Sequence, residues 1–510
     1  MDILLIHPPV VKPSEPPAGP ARLAGALREH GRSFMVVDAN IEGLLYLLNG
    51  RADASDTWTR RAFLHVQDSL ASLTSGRAFS NMDRYTQAVN GLNRILSFTS
   101  GKSGAHVSLN NYTQEAYSPV RSQDLVRAAL EHENNVFYPY FGRRLLGILD
   151  KDEPSVVGFS LNYLSQAVTA FAMIGFLRKL HPGMKIVLGG GLVTSWINGQ
   201  GWSNPFSGLV DELVAGKGEE RIVSLAGARW SGVEPVPDYS PFLPYAYLSP
   251  RKVAPFSTSS GCYWAKCSFC PEKAEGTPYS PLPAGRALKD FGQLSALASP
   301  GLVHVCDNAL SPALLKSMAD REQATPWYGF ARVTRSLADP DFCARLKRSG
   351  CVMLKLGIES GDQGVLDELG KGIRVEESIN ALRALHASGI AVYAYLLFGT
   401  PAEDYAAAGK TLEFTAEHSG FIGFLNLSVF NLPRGSSEAA ALETYDFSEG
   451  DLSLYQGFVH PRGWERNLVR QFLDKEFRRH PAVARILRAD PPFFTSNHAP
   501  FFVMNRLEYS

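Results

Sequence analysis

The chain has 510 residues, with 50 basic and 50 acidic side chains, a formal net charge of zero and 45% hydrophobic residues. That length allows about two to four domains with sizeable cores, and the charge balance argues against a coat on nucleic acid or on a membrane surface. Six cysteines, half of them in one cluster, exclude a disulfide scaffold and fit a metal in a reducing compartment. The opening MDILLIHPPVV lacks the basic flank and cleavage site of a signal peptide. No apolar run approaches the ~20 residues that span a bilayer, so a cytoplasmic location without a membrane span is expected.

In chain order, DILLI (2–6) reads as a strand and is followed by a Pro/Gly-rich loop through Pro20. ARLAGALREHG then reads as a helix ending at Gly31, and FMVVDA as a second strand. The pattern resumes at SVVGFSL (155–161), a helix through Leu180, KIVLGGG (185–191) and LVDELVAGKGEE (209–220). Apolar strands alternating with helices predict a Rossmann-like wound parallel sheet covered on both faces, over residues 1–230. The stretch at about 44–153 is too long for a crossover and has helical spacing. It is expected to be a mostly helical insertion, either scaffold and dimer surface or a substrate lid.

Residues 231–255 are proline-rich and read as a linker. Strand and helix alternate again over 256–450. GLVHVCD (301–307), WYGFARV (327–333), CVMLKLGIE (351–359), IAVYAYLLFG (390–399) and FLNLSVFNL (424–432) read as strands. The helix VEESINALRALHASG places Val375, Ile379, Leu382 and Leu385 on one face. Such repeats predict a full or partial (β/α) barrel. Residues 451–510 read as an irregular, aromatic-rich cap.

At the barrel's start stands TSSGCYWAKCSFC, with Cys262, Cys267 and Cys270 spaced C-x4-C-x2-C. On spacing alone, three readings stay open. A zinc knuckle would need a fourth ligand. A plant-type 2Fe–2S centre, as in a non-enzymatic ferredoxin-like protein, would draw its fourth thiolate from Cys306. A 4Fe–4S cluster on three thiolates would leave one iron open. Cys343, Cys351 and His304 read as core residues.

Together with GIESG (357–361), LGKG (369–372) and LLFGTPAED (396–404), this motif resembles the radical S-adenosylmethionine (SAM) superfamily. The subgroup it resembles carries an N-terminal cobalamin-binding domain. The usual spacing there is C-x3-C-x2-C, so this loop has one extra residue. The resemblance implies that Cys262, Cys267 and Cys270 hold a 4Fe–4S cluster whose open iron takes SAM. It implies SAM contacts at Phe269, Arg332, Glu359, Ser360, Phe398, Gly399 and Pro401. It implies cobalamin contacts at Pro8, Ser160, Gly189, Gly190, Gly191 and Glu219, with no protein histidine on cobalt. The DANIEG stretch at 38–43 follows the second strand and is not a cobalt-ligand motif.

The activity so implied is that of a cobalamin-dependent radical SAM methyltransferase, using a 5′-deoxyadenosyl radical and methylcobalamin on an unactivated centre. A small molecule or peptide would be the substrate, flavodoxin or ferredoxin the electron donor, and DNA no partner. A radical rearrangement, cyclisation or other group transfer with idle or absent cobalamin is the alternative.

Overall fold

The computed structural model describes the chain except residues 51–53, 102, 200, 299, 323–324, 447–449, 493–497 and 505–510. Strands β1 (Ile3–His7), β2 (Phe34–Asp38), β3 (Val156–Ser160), β4 (Lys185–Gly189) and β5 (Glu212–Val214) form one parallel sheet. Their order is β2-β1-β3-β4-β5, so the winding reverses between β1 and β3. In wound sheets a crevice opens at that reversal, beyond the carboxyl ends of the strands.

The alternation of β1 side chains divides the molecule. Ile3 and Leu5 enter a core shared with the second domain, whereas Leu4 and Ile6 enter a core shared with the insertion. Every residue of β1 is therefore buried, which is why it reads as an unbroken apolar run. The insertion contains the helices Met82–Gly101, Ser122–Leu130 and Tyr138–Leu149 and a small hairpin, Ala105–Val107 with Tyr112–Gln114. Leu92, Phe137 and Phe141 share the sheet's own core, the packing expected of scaffold.

The second domain is a six-stranded parallel sheet of β6 (Val253–Phe256), β7 (Leu302–Leu310), β8 (Trp327–Ala331), β9 (Cys351–Glu359), β10 (Ala391–Phe398) and β11 (Phe424–Val429). The strands pair in chain order and β6 does not meet β11, so the barrel is partial. Strand β6 begins inside the stretch read as linker. The residues before it are docked: Tyr247 Oη donates to Asp38 Oδ2 at 2.6 Å and Tyr245 Oη to Glu42 Oε1 at 2.9 Å.

The C-terminal cap is more regular than its sequence suggests. It contains the helices Arg466–Phe472, Pro481–Arg488 and Ala499–Met504 and a strand at Tyr455–Phe458. Phe501 packs against Phe79 and Tyr85 of the insertion, with ring centroids 4.9 and 5.1 Å away. Part of the aromatic run at 493–497 lies outside the described residues.

A buried ionic chain ties the two domains. Lys12 and Glu15, from the loop after β1, pair at 2.9 Å. Glu15 meets His304 Nδ1 on β7 at 3.1 Å, and His304 Nε2 accepts from Lys355 Nζ on β9 at 3.0 Å. The order of contacts makes His304 neutral, with its proton on Nδ1. Burial lowers the Lys355 amine to about 7. His304 is thus buried, as its apolar surroundings in the sequence indicate, but it is hydrogen-bonded on both ring nitrogens.

Candidate active site

The cysteine loop leaves β6 at Phe256 and is pinned at its root by Asp307 of β7. The Asp307 carboxylate accepts from Thr258 N at 2.6 Å, Ser259 Oγ at 2.8 Å and Thr258 Oγ1. Strand β7 runs on to Leu310, beyond the aspartate that reads as its end, through a register shift that pairs Leu310 with Ala331. Cys262, Cys267 and Cys270 are partly buried free thiols. Burial pushes the Cys267 and Cys270 thiols up, while Lys371 and Arg332 act against that at Cys267.

The cysteine loop is folded down onto the LGKG turn on both sides of Cys267. Trp264 Nε1 donates to Gly370 O at 2.9 Å, and Ser268 N donates to Leu369 O at 3.0 Å. A Cβ on Gly372 would lie 2.1 Å from the Trp264 ring, so only glycine admits the indole. The Arg332 guanidinium stacks 3.8 Å from the Trp264 centroid. The extra loop residue therefore belongs to a docked segment.

Among the described residues, no group of three or more His, Cys, Asp or Glu side chains is placed to hold a single metal ion. The zinc reading thus finds no ligand set. A multi-iron cluster takes one thiolate per iron and does not need the thiolates to converge on one ion. Cys306 lies on β7, its thiol donating to the His304 carbonyl at 3.4 Å. Burial and the Glu15 carboxylate push that thiol up to about 12, which weakens it as a fourth ligand.

Strand β9 ends on Glu359, whose φ is +65° at a register shift between Gly357 and Glu359. Among the described residues only Ala265 and Glu359 are non-glycines in this left-handed region. The Glu359 carboxylate is buried and paired with Lys371 Nζ at 2.7 Å. Arg332 Nη2 donates to the Lys371 carbonyl, and Arg332 Nε is buried with no partner.

The other SAM-contact residues expected from the resemblance fall into two groups. Phe269 faces the same corner, with Lys371 Nζ 5.6 Å from its ring. Ser360 is engaged elsewhere: its hydroxyl meets Thr411 Oγ1 at 3.1 Å and accepts from Asp362 N at 3.1 Å. The Phe398 ring points into the cap, 5.1 Å from Phe477. Gly399 N donates to Glu403, which also accepts from Trp464 Nε1 at 3.0 Å, and Pro401 is half-buried nearby. Burial raises the Glu403 carboxyl to about 7. Lys371, Trp264 and Glu403 were not singled out from sequence, although LGKG and GTPAED were visible as motifs.

A cavity of about 680 Å³ opens between the carboxyl ends of β1, β3 and β4 and the base of the cysteine loop. Ser160, Gly189, Gly190, Gly191 and Glu219 line it from the wound domain, and Ser259, Gly261 and Glu275 from the barrel side. Gly190 has φ +112°, and a Cβ there would lie 2.3 Å from Leu161 O. Glu219 is held by Arg22 Nε at 2.6 Å. Pro8 stands apart from this lining, its carbonyl accepting from Gln166 Nε2 at 2.7 Å. No histidine is among the lining residues, and burial lowers His7 to about 3.

Residues 256–415 match the Radical SAM superfamily. The match begins at the last residue of β6 and ends within the helix Tyr405–Glu417, so the matched region contains the cysteine loop, Glu359, Lys371 and Glu403. An uncharacterized methyltransferase of Pyrococcus horikoshii is 22% identical over 303 residues, covering 52% of this chain and 65% of that protein.

Among solved structures, the radical SAM methyltransferase TsrM from Kitasatospora setae, with tryptophan substrate and a SAM analogue bound, superposes with a TM-score of 0.56. It is 16% identical and covers 96% of this chain and 89% of its own. The cobalamin-dependent radical enzyme OxsB, with aqua-cobalamin and SAM bound, gives a TM-score of 0.51 at 14% identity over 66% of this chain and 60% of its own. The chain thus spans less than two thirds of the P. horikoshii relative and of OxsB. These likenesses show the fold: a Rossmann-like wound sheet followed by a partial (β/α) barrel.

Proposed function

We propose that this chain is a cobalamin-dependent radical SAM methyltransferase acting on a small molecule or peptide. The observation that carries the reading is the shared cleft: the glycine run after β4 and the base of the three-cysteine loop face one cavity of about 680 Å³. The similarity to TsrM and OxsB, described with SAM or its analogue and with cobalamin, supports it.

The residues fit these groups. Cys262, Cys267 and Cys270 are free, partly buried thiols beside the cations of Lys371 and Arg332, a donor set suited to three irons of a 4Fe–4S cluster. Arg332 Nε is a buried donor without an acceptor; the carboxylate of SAM would satisfy it. Glu359 presents a carboxylate for the SAM amino or ribose groups, at the strand ends where barrels place chemistry. Gly189, Gly190 and Gly191 leave bare backbone against which the tail of cobalamin would lie.

When loaded, these cofactors supply a radical for hydrogen abstraction and a transferable methyl group. The chain's own part is to bind, orient and exclude water. The half-buried Phe330, Tyr395, Asn426 and Ser428 on β8, β10 and β11 form a barrel wall where a substrate would lie. Flavodoxin or ferredoxin would deliver electrons.

The test is anaerobic reconstitution followed by turnover with SAM and an electron donor. The expected product gains one methyl group, and cobalamin copurifies. A product without that gain, from protein that consumes SAM, would instead establish the rearrangement or cyclisation reading. A cluster indifferent to SAM would establish an electron carrier.

A further inference from the structure

Three successive carbonyls of one turn hold three parts of the site. Leu369 O accepts from Ser268 N, Gly370 O from Trp264 Nε1, and Lys371 O from Arg332 Nη2. Gly370 and Gly372 flank Lys371 with φ of +63° and +65°, and this left-handed geometry turns the carbonyls toward different donors. The Lys371 side chain, only 7% exposed, reaches Glu359 Oε1. A Cβ on Gly357 would lie 2.5 Å from Glu359 Oε1 and 2.8 Å from Lys371 Nζ. The bare glycine is what leaves room for the pair.

We propose that Lys371 is the positioning residue that couples the cysteine loop to SAM: its ammonium fixes the Glu359 carboxylate while its carbonyl holds Arg332, whose guanidinium stacks on Trp264. The inference rests on the SAM reading above. A buried ion pair contributes little net stability compared with apolar groups of the same shape. Packing alone therefore does not account for two charges at this point. Glu359 is also held in a strained conformation, as residues fixed for function often are. Removing the ammonium leaves a buried carboxylate without its counter-charge. That carboxylate then protonates or swings away, and a ligand amine or ribose hydroxyl loses its acceptor.

The experiment compares the full-length reconstituted chain with Lys371→Met and Lys371→Arg, measuring iron content, Tm, SAM dissociation constant and the effect of SAM on the cluster EPR spectrum. Lys371→Met is expected to keep its iron and weaken SAM by about tenfold or more, with a diminished spectral response. Lys371→Arg, which restores the cation, is expected to recover most of the affinity. Unchanged SAM affinity in Lys371→Met overturns the proposal. So does SAM affinity that falls only in step with iron in both variants, because that assigns Lys371 to loop folding alone. If the unsubstituted cluster does not bind SAM, the SAM reading itself fails and this inference goes with it.

Discussion

Ser195 Oγ donates to Glu275 Oε1 at 2.7 Å, joining the helix Gly191–Ile197 of the wound domain to the residue that ends the helix after Cys270. This contact bridges the two walls of the cleft, and burial raises the Glu275 carboxyl despite the serine donor. Ser195→Ala removes a hydrogen bond to a charged acceptor, worth on the order of 1 kcal/mol at a half-exposed site. The expected result is faster loss of cobalamin on gel filtration with iron content unchanged, read from visible absorbance and iron assay.

The glycine run separates folding from binding. Gly190→Ala forces a side chain into a left-handed backbone and against Leu161 O, and is expected to cost roughly 2–4 kcal/mol in denaturant unfolding. Gly191→Ala meets only Asn162 Oδ1, at 3.7 Å. It is expected to leave stability within about 0.5 kcal/mol while lowering cobalamin retention, because its methyl group faces the cleft.

Glu15 is the only carboxylate in the buried chain Lys12–Glu15–His304–Lys355. Glu15→Ala strands Lys12 and removes the acceptor of His304. A loss of about 3–5 kcal/mol is expected, seen as a lower Tm. A Tm equal to that of the unsubstituted chain would show that this link does not hold the domains together.

Glu403 gives a pH signature. Its folded-state value is about 7 against an ordinary 4.5, so the fold favours the protonated acid. That contribution is full below pH 4.5, falls as pH rises through the window to about 7, and is absent above it. Glu403→Gln keeps an acceptor without the ionisation. It is expected to be more stable than the unsubstituted chain at pH 8, by up to roughly 3 kcal/mol, and to lose that advantage at pH 4.5. Chemical denaturation at the two pH values checks the sign.

Much of this was legible because burial leaves one-dimensional traces. DILLI and SVVGFSL are apolar without a break because both faces of the wound sheet are covered, and the three cysteines are adjacent in sequence. What sequence could not show depends on distant residues meeting. Lys355 interrupts an apolar strand, and its partners His304 and Glu15 lie far away in the chain. Lys371 sits in a visible motif, but its pairing with Glu359 and its grip on Arg332 arise only from the fold. The cap helices were hidden by their shortness and by aromatic residues that pack on several neighbours at once, as Phe472 does with Phe398 and Trp464. Ser360 lay in a readable motif, yet its hydroxyl serves Thr411.

The most direct test is the EPR spectrum of the reduced, reconstituted chain with and without SAM, set beside its iron content and that of a variant with Cys262, Cys267 and Cys270 all replaced by alanine. The expected result is about four irons per chain, a 4Fe–4S signal that SAM shifts, and loss of that iron in the triple variant. A signal that SAM leaves untouched, or iron that survives loss of all three cysteines, would contradict the account.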